Sequence, residues 1–443
     1  MSLDRIASIA RRIETLRPTR HFGRVAEIRA GLVRVSGLNT HASIGDRVLL
    51  SAPRNLTGEI VALGPQTADI VAESAVDGLA IGAEVELLFA PRLAPCAAWI
   101  GRIVDPFGRP LDGLPLPPGG TERSFTAPAP PAVTRRRLGQ RLDTGLAVFD
   151  TLLPIVRGQR IGLFAGSGVG KSTLLSKLSR GVEADLVVLA LVGERGRELR
   201  EFVENVLGPE GMARAIVVAA TSDQSPLIRR RCAWAAMAVA EHFRDNGQHV
   251  LFLADSITRF AEAHREIALT GGESASDRGF PPSTSHLIMS LAERAGPGPE
   301  GAGDITGIFS VLVAGSDMDE PIADILRGVL DGHVVLDRAI AERGRFPAVD
   351  VLRSVSRSLP QAASAAENAL IGRARAALGS YAESELMIKA GLYATGSDPQ
   401  LDEAVRLYPA LDAFVAQDSP QGAGASFAML TQALRGHRPA AAR

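Results

Sequence analysis

The stretch AGSGVGKST, Ala165 to Thr173, follows directly on the apolar run RIGLF. The glycines among Gly166, Ser167, Gly168, Val169 and Gly170 free the backbone to bend until its N–H groups face one point, where phosphate oxygens accept them. The helix that begins at Lys171, Ser172 and Thr173 adds its positive end. Lys171 is placed to meet the β- and γ-phosphates of ATP, and the Ser172 hydroxyl to ligate Mg²⁺. The strict form of such a loop opens with glycine, and Ala165 stands there as a small substitute. A chance lysine in a glycine-rich turn is the rival reading. It is weakened because the chain has only three lysines, Lys171, Lys177 and Lys389.

Hydrolysis needs more than a phosphate cradle. HVLFLADSITRF is an apolar strand pattern that ends on Asp255, where a carboxylate completes a magnesium shell through water. LVGERGRE follows another apolar run and puts Glu194 at a strand's carboxyl edge. A carboxylate there can orient and deprotonate an attacking water. Read alone, Asp255 also fits a loop cap and Glu194 a charged loop.

These residues need a parallel sheet to converge. RIGLFAG, ADLVVLALVG, ARAIVVAAT, HVLFLAD and GIFSVLVAG are continuous apolar runs separated by helical stretches, the pattern of strands buried on both faces of a doubly wound α/β domain. One intervening helix starts at Ser225-Pro226, a cap followed by proline, and ends before Gly247. Residues 21–92 differ: short alternating runs broken by Gly, Asn, Asp and Pro predict a small β-barrel. Its only Phe, Trp or Tyr residues are Phe22 and Phe89, too few for a nucleic-acid stacking surface. A Pro/Gly-rich connector opens the ATPase domain of residues 93–360, and residues 361–443 read as helical. Residues 1–20 place Leu3, Ile6, Ile9, Ile13 and Leu16 at helical spacing, an amphipathic helix that packs on its own domain or docks a partner or membrane surface.

Composition limits the remaining classes. The net charge of −1 argues against nucleic acid as a partner. Cys96 and Cys232 sit in unrelated contexts and read as reduced thiols of a cytoplasmic protein. No apolar h-region opens the chain and no run spans a bilayer, so any membrane association is expected to be peripheral.

Taken together, AGSGVGKST, LVGERGRE, LADSITRFAEAHREI, RGFPPS, DEPIADILRGVLDGHVVLDR and FPAVDVLRSVSRSLPQ resemble the catalytic subunits of the rotary ATPase superfamily. The resemblance runs from about Gly23 to about Gln417, and YAESELMIKAGLY is similar to its flagellar and injectisome type III export branch. It implies a RecA-like core between a β-barrel and a helical domain, with Glu194 as general base. Arg195 and Arg259 then match arginines near the γ-phosphate, and Phe346 an aromatic that stacks on adenine. Arg357 matches an arginine finger delivered to a neighbouring subunit; without the resemblance it reads as a surface arginine. One chain holding both Glu194 and Arg357 suits a homo-oligomeric ring, a hexamer by resemblance.

The resemblance implies a cytoplasmic ATPase, peripheral to the inner membrane, that frees chaperones and promotes unfolding of substrates for export. The partners implied are an export regulator or stator at the N-terminus, a central stalk, an export gate and chaperone–substrate complexes. A flagellar system is favoured over an injectisome. An ATP synthase catalytic subunit is the next alternative, disfavoured because ENALIGRARAALGSYAESELMI is not an acidic run. An RNA translocase and a non-hydrolysing scaffold complete the alternatives.

Overall fold

The computed structural model describes residues 19–29, 31–51, 55–117, 119–313, 318 and 320–435. The amphipathic segment expected at 1–20 lies almost wholly outside the described residues.

The chain divides into two compact units, of which the first holds residues 1–91 with two short pieces around 225–227 and 266–274. Its strands are β1 (Phe22–Arg29), β2 (Leu32–Ser36), β3 (Arg47–Leu50), β4 (Leu56–Leu63), β5 (Thr67–Ala72) and β6 (Glu84–Phe89). They close into a barrel in the order β1-β2-β5-β4-β3-β6. Alternation does the sorting: Val33, Val35, Val48, Leu50 and Val85 point inward and are buried. Closure leaves no unpaired strand edge.

The second unit is built on a nine-stranded sheet. Its main strands are β7 (Ile103–Val104), β8 (Arg160–Ala165), β9 (Leu186–Glu194), β10 (Ala215–Thr221), β11 (His249–Asp255), β12 (Asp304–Leu312), β13 (Gly332–Leu336) and β14 (Val349–Ser356). They run in the order β14-β13-β8-β12-β11-β9-β10-β7. All neighbours are parallel except β14, which pairs antiparallel with β13 at one edge. The five apolar runs read from the sequence are β8 to β12. Each is buried over nearly its whole length, because helices cover both faces.

The helices that matter here are α1 (Lys171–Gly181), α2 (Pro226–Asp245), α3 (Pro321–Val329), α4 (Ala365–Lys389), α5 (Pro399–Val415) and α6 (Ala423–Arg435). A capping box between Ser364 and Glu367 starts α4, and Asp398 followed by Pro399 starts α5. These C-terminal helices bury Ile371, Leu407, Leu411, Phe414 and Leu430 in the same cluster as Leu163, Leu189 and Leu253 of the sheet. The helical region is thus packed onto the core and not tethered to it. Burial raises the Asp150 carboxyl within this packing, and Thr144 and Ser426 satisfy it by hydrogen bonds. No helix among the described residues is long and apolar enough to cross a membrane.

Candidate active site

β8, β9, β11 and β12 end side by side, so register alone brings Ala165, Glu194, Asp255 and Leu312 to one sheet edge. The chain leaves β8 at Ala165, turns through Gly168 (φ 78°) and Gly170 (φ 87°), and enters α1 at Lys171. A side chain at Gly170 would be strained, and its Cβ would lie 3.1 Å from the Phe346 ring. No side chain caps α1 and its first turn holds no acidic residue. Its first N–H groups and the positive end of its dipole are left for an anion.

β9 carries a bulge between Val192 and Glu194, with Gly193 at φ 70°. The extra residue breaks the strand's alternation and re-aims the Glu194 side chain off the ladder. Glu194 and the phosphate loop then line one cavity of about 640 Å³. Gly166, Ser167, Gly168, Gly170, Lys171, Ser172, Thr173, Arg195 and Arg259 share its wall. A smaller adjoining cavity of about 290 Å³ is bounded by Ser172, Thr173, Glu194 and Asp255.

The electrostatics are built by burial and like charge. Desolvation pushes the Glu194 carboxyl up to about 7, aided by the Asp255 charge and opposed by Lys171. Glu198 receives a hydrogen bond from Glu194 and is held below the usual carboxylate range. Asp255 is buried, contacts the Lys171 ammonium and accepts the Ser310 hydroxyl at 2.7 Å. The Ser172 hydroxyl and the Asp255 carboxylate are hard oxygen donors on one cavity and fit a magnesium ion.

Most of the expected residues meet. Phe346 stands half-exposed against the loop at Gly170. Arg195 and Arg259 line the cavity, with their guanidinium groups paired to Glu198 at 2.8 Å and Glu262 at 2.9 Å. The Val169 side chain does not face the cavity: it is buried in the core, so only its backbone is available to a phosphate. Arg357 is not at this edge at all. It follows β14 and its N–H bonds the Asp331 carbonyl, beside the start of β8. β8 separates that point from the phosphate loop by about 16 Å at strand rise. Arg357 is therefore beyond reach of its own chain's cavity.

Several neighbours of the site were missed from sequence. Glu198 stands four residues past Glu194 inside the quoted GERGRE, in the short helix Gly196–Glu201 that follows the strand. The one sign of Ser310 in the sequence is a polar residue inside the apolar run GIFSVLVAG. Arg229 lines the cavity from α2; within LIRRRC nothing separates it from Arg230 and Arg231.

The comparisons with known proteins agree with this fold. The nucleotide-binding domain of the ATP synthase alpha/beta family matches residues 145–356. The C-terminal domain of the type III secretion ATPase EscN matches residues 363–435. The "Flagellum-specific ATP synthase" of Caulobacter vibrioides is 45% identical, covering 97% of this chain and 99% of the relative. The "SPI-2 type 3 secretion system ATPase" of Salmonella typhimurium is 42% identical, over 84% of this chain and 86% of the relative. Among solved structures, the assembled ATPase EscN of the enteropathogenic E. coli type III secretion system superposes with a TM-score of 0.86. It is 34% identical, and the match covers 93% of this chain and 100% of that one. EscN in complex with its central stalk EscO superposes with a TM-score of 0.84. With the family domain matched over residues 145–356, the C-terminal domain over residues 363–435 and a relative 45% identical over 97% of the chain, the chain belongs to the ATP synthase alpha/beta family, in its branch of flagellar and type III secretion ATPases.

Proposed function

We propose that this chain hydrolyses ATP at the Lys171–Glu194 cavity, within a homo-oligomeric ring, and that it serves flagellar-type protein export. The observation that carries this reading is the division of one chain's catalytic groups between two sheet edges. Lys171, Glu194 and Asp255 gather at one edge, and Arg357 of the same chain lies at the other. Two copies packed edge to edge complete a site that neither completes alone.

The α1 amides and Lys171 bind the β- and γ-phosphates, and Phe346 packs on the adenine. Arg195 and Arg259 leave their carboxylate partners to face the γ-phosphate. Glu194 orients a water and takes its proton as the oxygen bonds the γ-phosphorus. The bond to the β–γ bridging oxygen breaks, and ADP and phosphate leave. Ser172 and Asp255 would hold Mg²⁺, which neutralises charge on the phosphates when bound. Arg357 of the adjacent copy adds positive charge to the transferring group.

Assembly around a central stalk follows the assembled relative and its stalk complex, and six copies per ring is the number that the family resemblance implies. The export regulator, export gate, chaperone–substrate complexes and residence at the inner membrane belong to the same proposal, with residues 1–20 as the docking segment. A flagellar system is favoured over an injectisome by identity of 45% over 97% of the chain against 42% over 84%. Affinity purification from cells tests this: flagellar chaperones and basal-body proteins are expected, and secretion effectors in their place would overturn it. For the chemistry, Glu194→Gln is expected to bind ATP within a few-fold of wild type and lose about 10²- to 10⁴-fold in turnover. Near-normal turnover would remove Glu194 from its role.

A further inference from the structure

At the edge of the sheet opposite the cavity, the residue before β8 is a fully buried amide that the chemistry above does not use. Gln159 is 0% exposed. Its Oε1 accepts the Val156 N–H at 2.9 Å. Its Nε2 donates to the Asp331 carbonyl at 3.1 Å and to the Ser356 hydroxyl oxygen at 3.2 Å. The partners fix which end is which. The Asp331 carbonyl only accepts and the Val156 N–H only donates, so a flipped amide would set like against like at both. The Ser356 hydroxyl donates its hydrogen bond to the Pro154 carbonyl at 2.6 Å, which leaves its oxygen to accept from Gln159.

The same Asp331 carbonyl accepts the Arg357 N–H at 3.0 Å. One side chain thus holds both the residue before Arg357 and the carbonyl from which Arg357 hangs. The strands meet closely here: a Cβ at Gly332 would lie 2.5 Å from the Val355 carbonyl. Asp331 is itself tied to β8, its carboxylate accepting the Arg160 N–H at 3.0 Å and the Arg160 guanidinium at 3.1 Å. By contrast the Arg357 side chain is exposed, and its Nη2 donates to the Arg327 carbonyl of α3 at 3.0 Å. Its accuracy must come from its backbone.

We propose that Gln159 is the positioning residue for Arg357: its buried amide sets the backbone at Asp331 and Ser356 from which the arginine is presented to the neighbouring copy. This rests on the reading of Arg357 as acting in trans. A displacement of about 1 Å in a group that stabilises a transition state costs on the order of 100-fold in rate. Without the amide the buried Val156 N–H loses its acceptor and the Asp331 carbonyl keeps only the Arg357 N–H, and the β13–β14 junction loosens where Arg357 begins.

Gln159→Met keeps the volume and removes the amide. The full-length variant is expected to bind ATP within about two-fold of wild type, because the phosphate loop lies at the far end of β8, while kcat falls about 10- to 100-fold. Three subunit-exchanged mixtures then locate the lesion. Gln159→Met with Glu194→Gln regains activity above the average of the two parents, since half-sites from different copies combine. Gln159→Met with Arg357→Ala gains nothing, since no copy supplies a well-placed arginine. Arg357→Ala with Glu194→Gln is the control for action in trans. If the control recovers and the first mixture only averages its parents, Gln159 does not act through Arg357 and the inference is wrong. If the control stays inactive although subunits exchange, the trans reading fails and the inference with it. Should Gln159→Met not assemble, Ser356→Ala removes the acceptor that links the amide to Arg357 and is read in the same mixtures. Absence of recovery with Glu194→Gln there overturns the proposal.

Discussion

Turnover at low ATP is expected to rise about tenfold between about pH 6 and pH 8, and the rise belongs to Glu194. The base acts only when ionised. With its carboxyl pushed up to about 7 by burial and by Asp255, about one-eleventh of the free enzyme is competent at about pH 6 and about ten-elevenths at about pH 8. A carboxyl at its ordinary value of 4.5 would be ionised at both, and the profile would be flat. The sign follows from the acid form being the inactive one: activity is gained as pH rises through the raised value. The assay is kcat/KM for ATP across that range, which reports the free enzyme. Phosphates also titrate near about 6, so ATP binding measured over the same range separates the substrate's own proton from the enzyme's. Glu198→Gln should move the midpoint down, because Glu198 accepts a hydrogen bond from the protonated Glu194 and adds like charge. A flat profile, or an unmoved midpoint in Glu198→Gln with binding intact, would refute the argument.

Lys171→Ala should weaken ATP binding and turnover together, unlike Glu194→Gln, because the ammonium contacts phosphate in the ground state as well; equilibrium binding beside steady-state rates distinguishes them. Phe346→Ala should weaken ATP binding about 5- to 100-fold with kcat nearly kept, the cost of one lost base stack; an unchanged KM would take Phe346 off the adenine. Deleting Ser2 to Arg17 should leave ATPase activity in place and abolish binding to an export regulator or to anionic vesicles. A loss of many degrees in melting temperature would show instead that the segment belongs to the fold.

What was legible in the sequence was what is local. The phosphate loop writes its backbone requirements as glycines within a few residues, and Asp255 and Glu194 announce themselves by ending apolar runs. The five central strands were readable because burial on both faces keeps them mostly apolar. The edge strands β13 and β14 were not read as strands: VDVLRSVS alternates and exposes Leu352, Arg353 and Val355, so its pattern is that of a half-covered edge. Ser310 and Gln159 gain their roles only from register, which sets Ser310 beside Asp255 and Gln159 beside Ser356, residues 55 and 197 positions away. That Arg357 faces away from its own cavity is likewise a property of strand order. Its sequence motif carried the expectation of a role and not the geometry.

The most direct test of a site divided between copies mixes two dead proteins. Arg357→Ala retains Glu194, and Glu194→Gln retains Arg357; each alone should lose on the order of a thousand-fold in turnover. When subunits are exchanged, interfaces that pair the intact halves are whole, and activity should return in proportion to random pairing and with dependence on protein concentration. If Arg357 served its own chain, every site in the mixture would still carry a lesion. Recovery that follows the mixing ratio is the result expected. A mixture shown by tag pull-down to have exchanged, yet inactive at every ratio, would contradict the account.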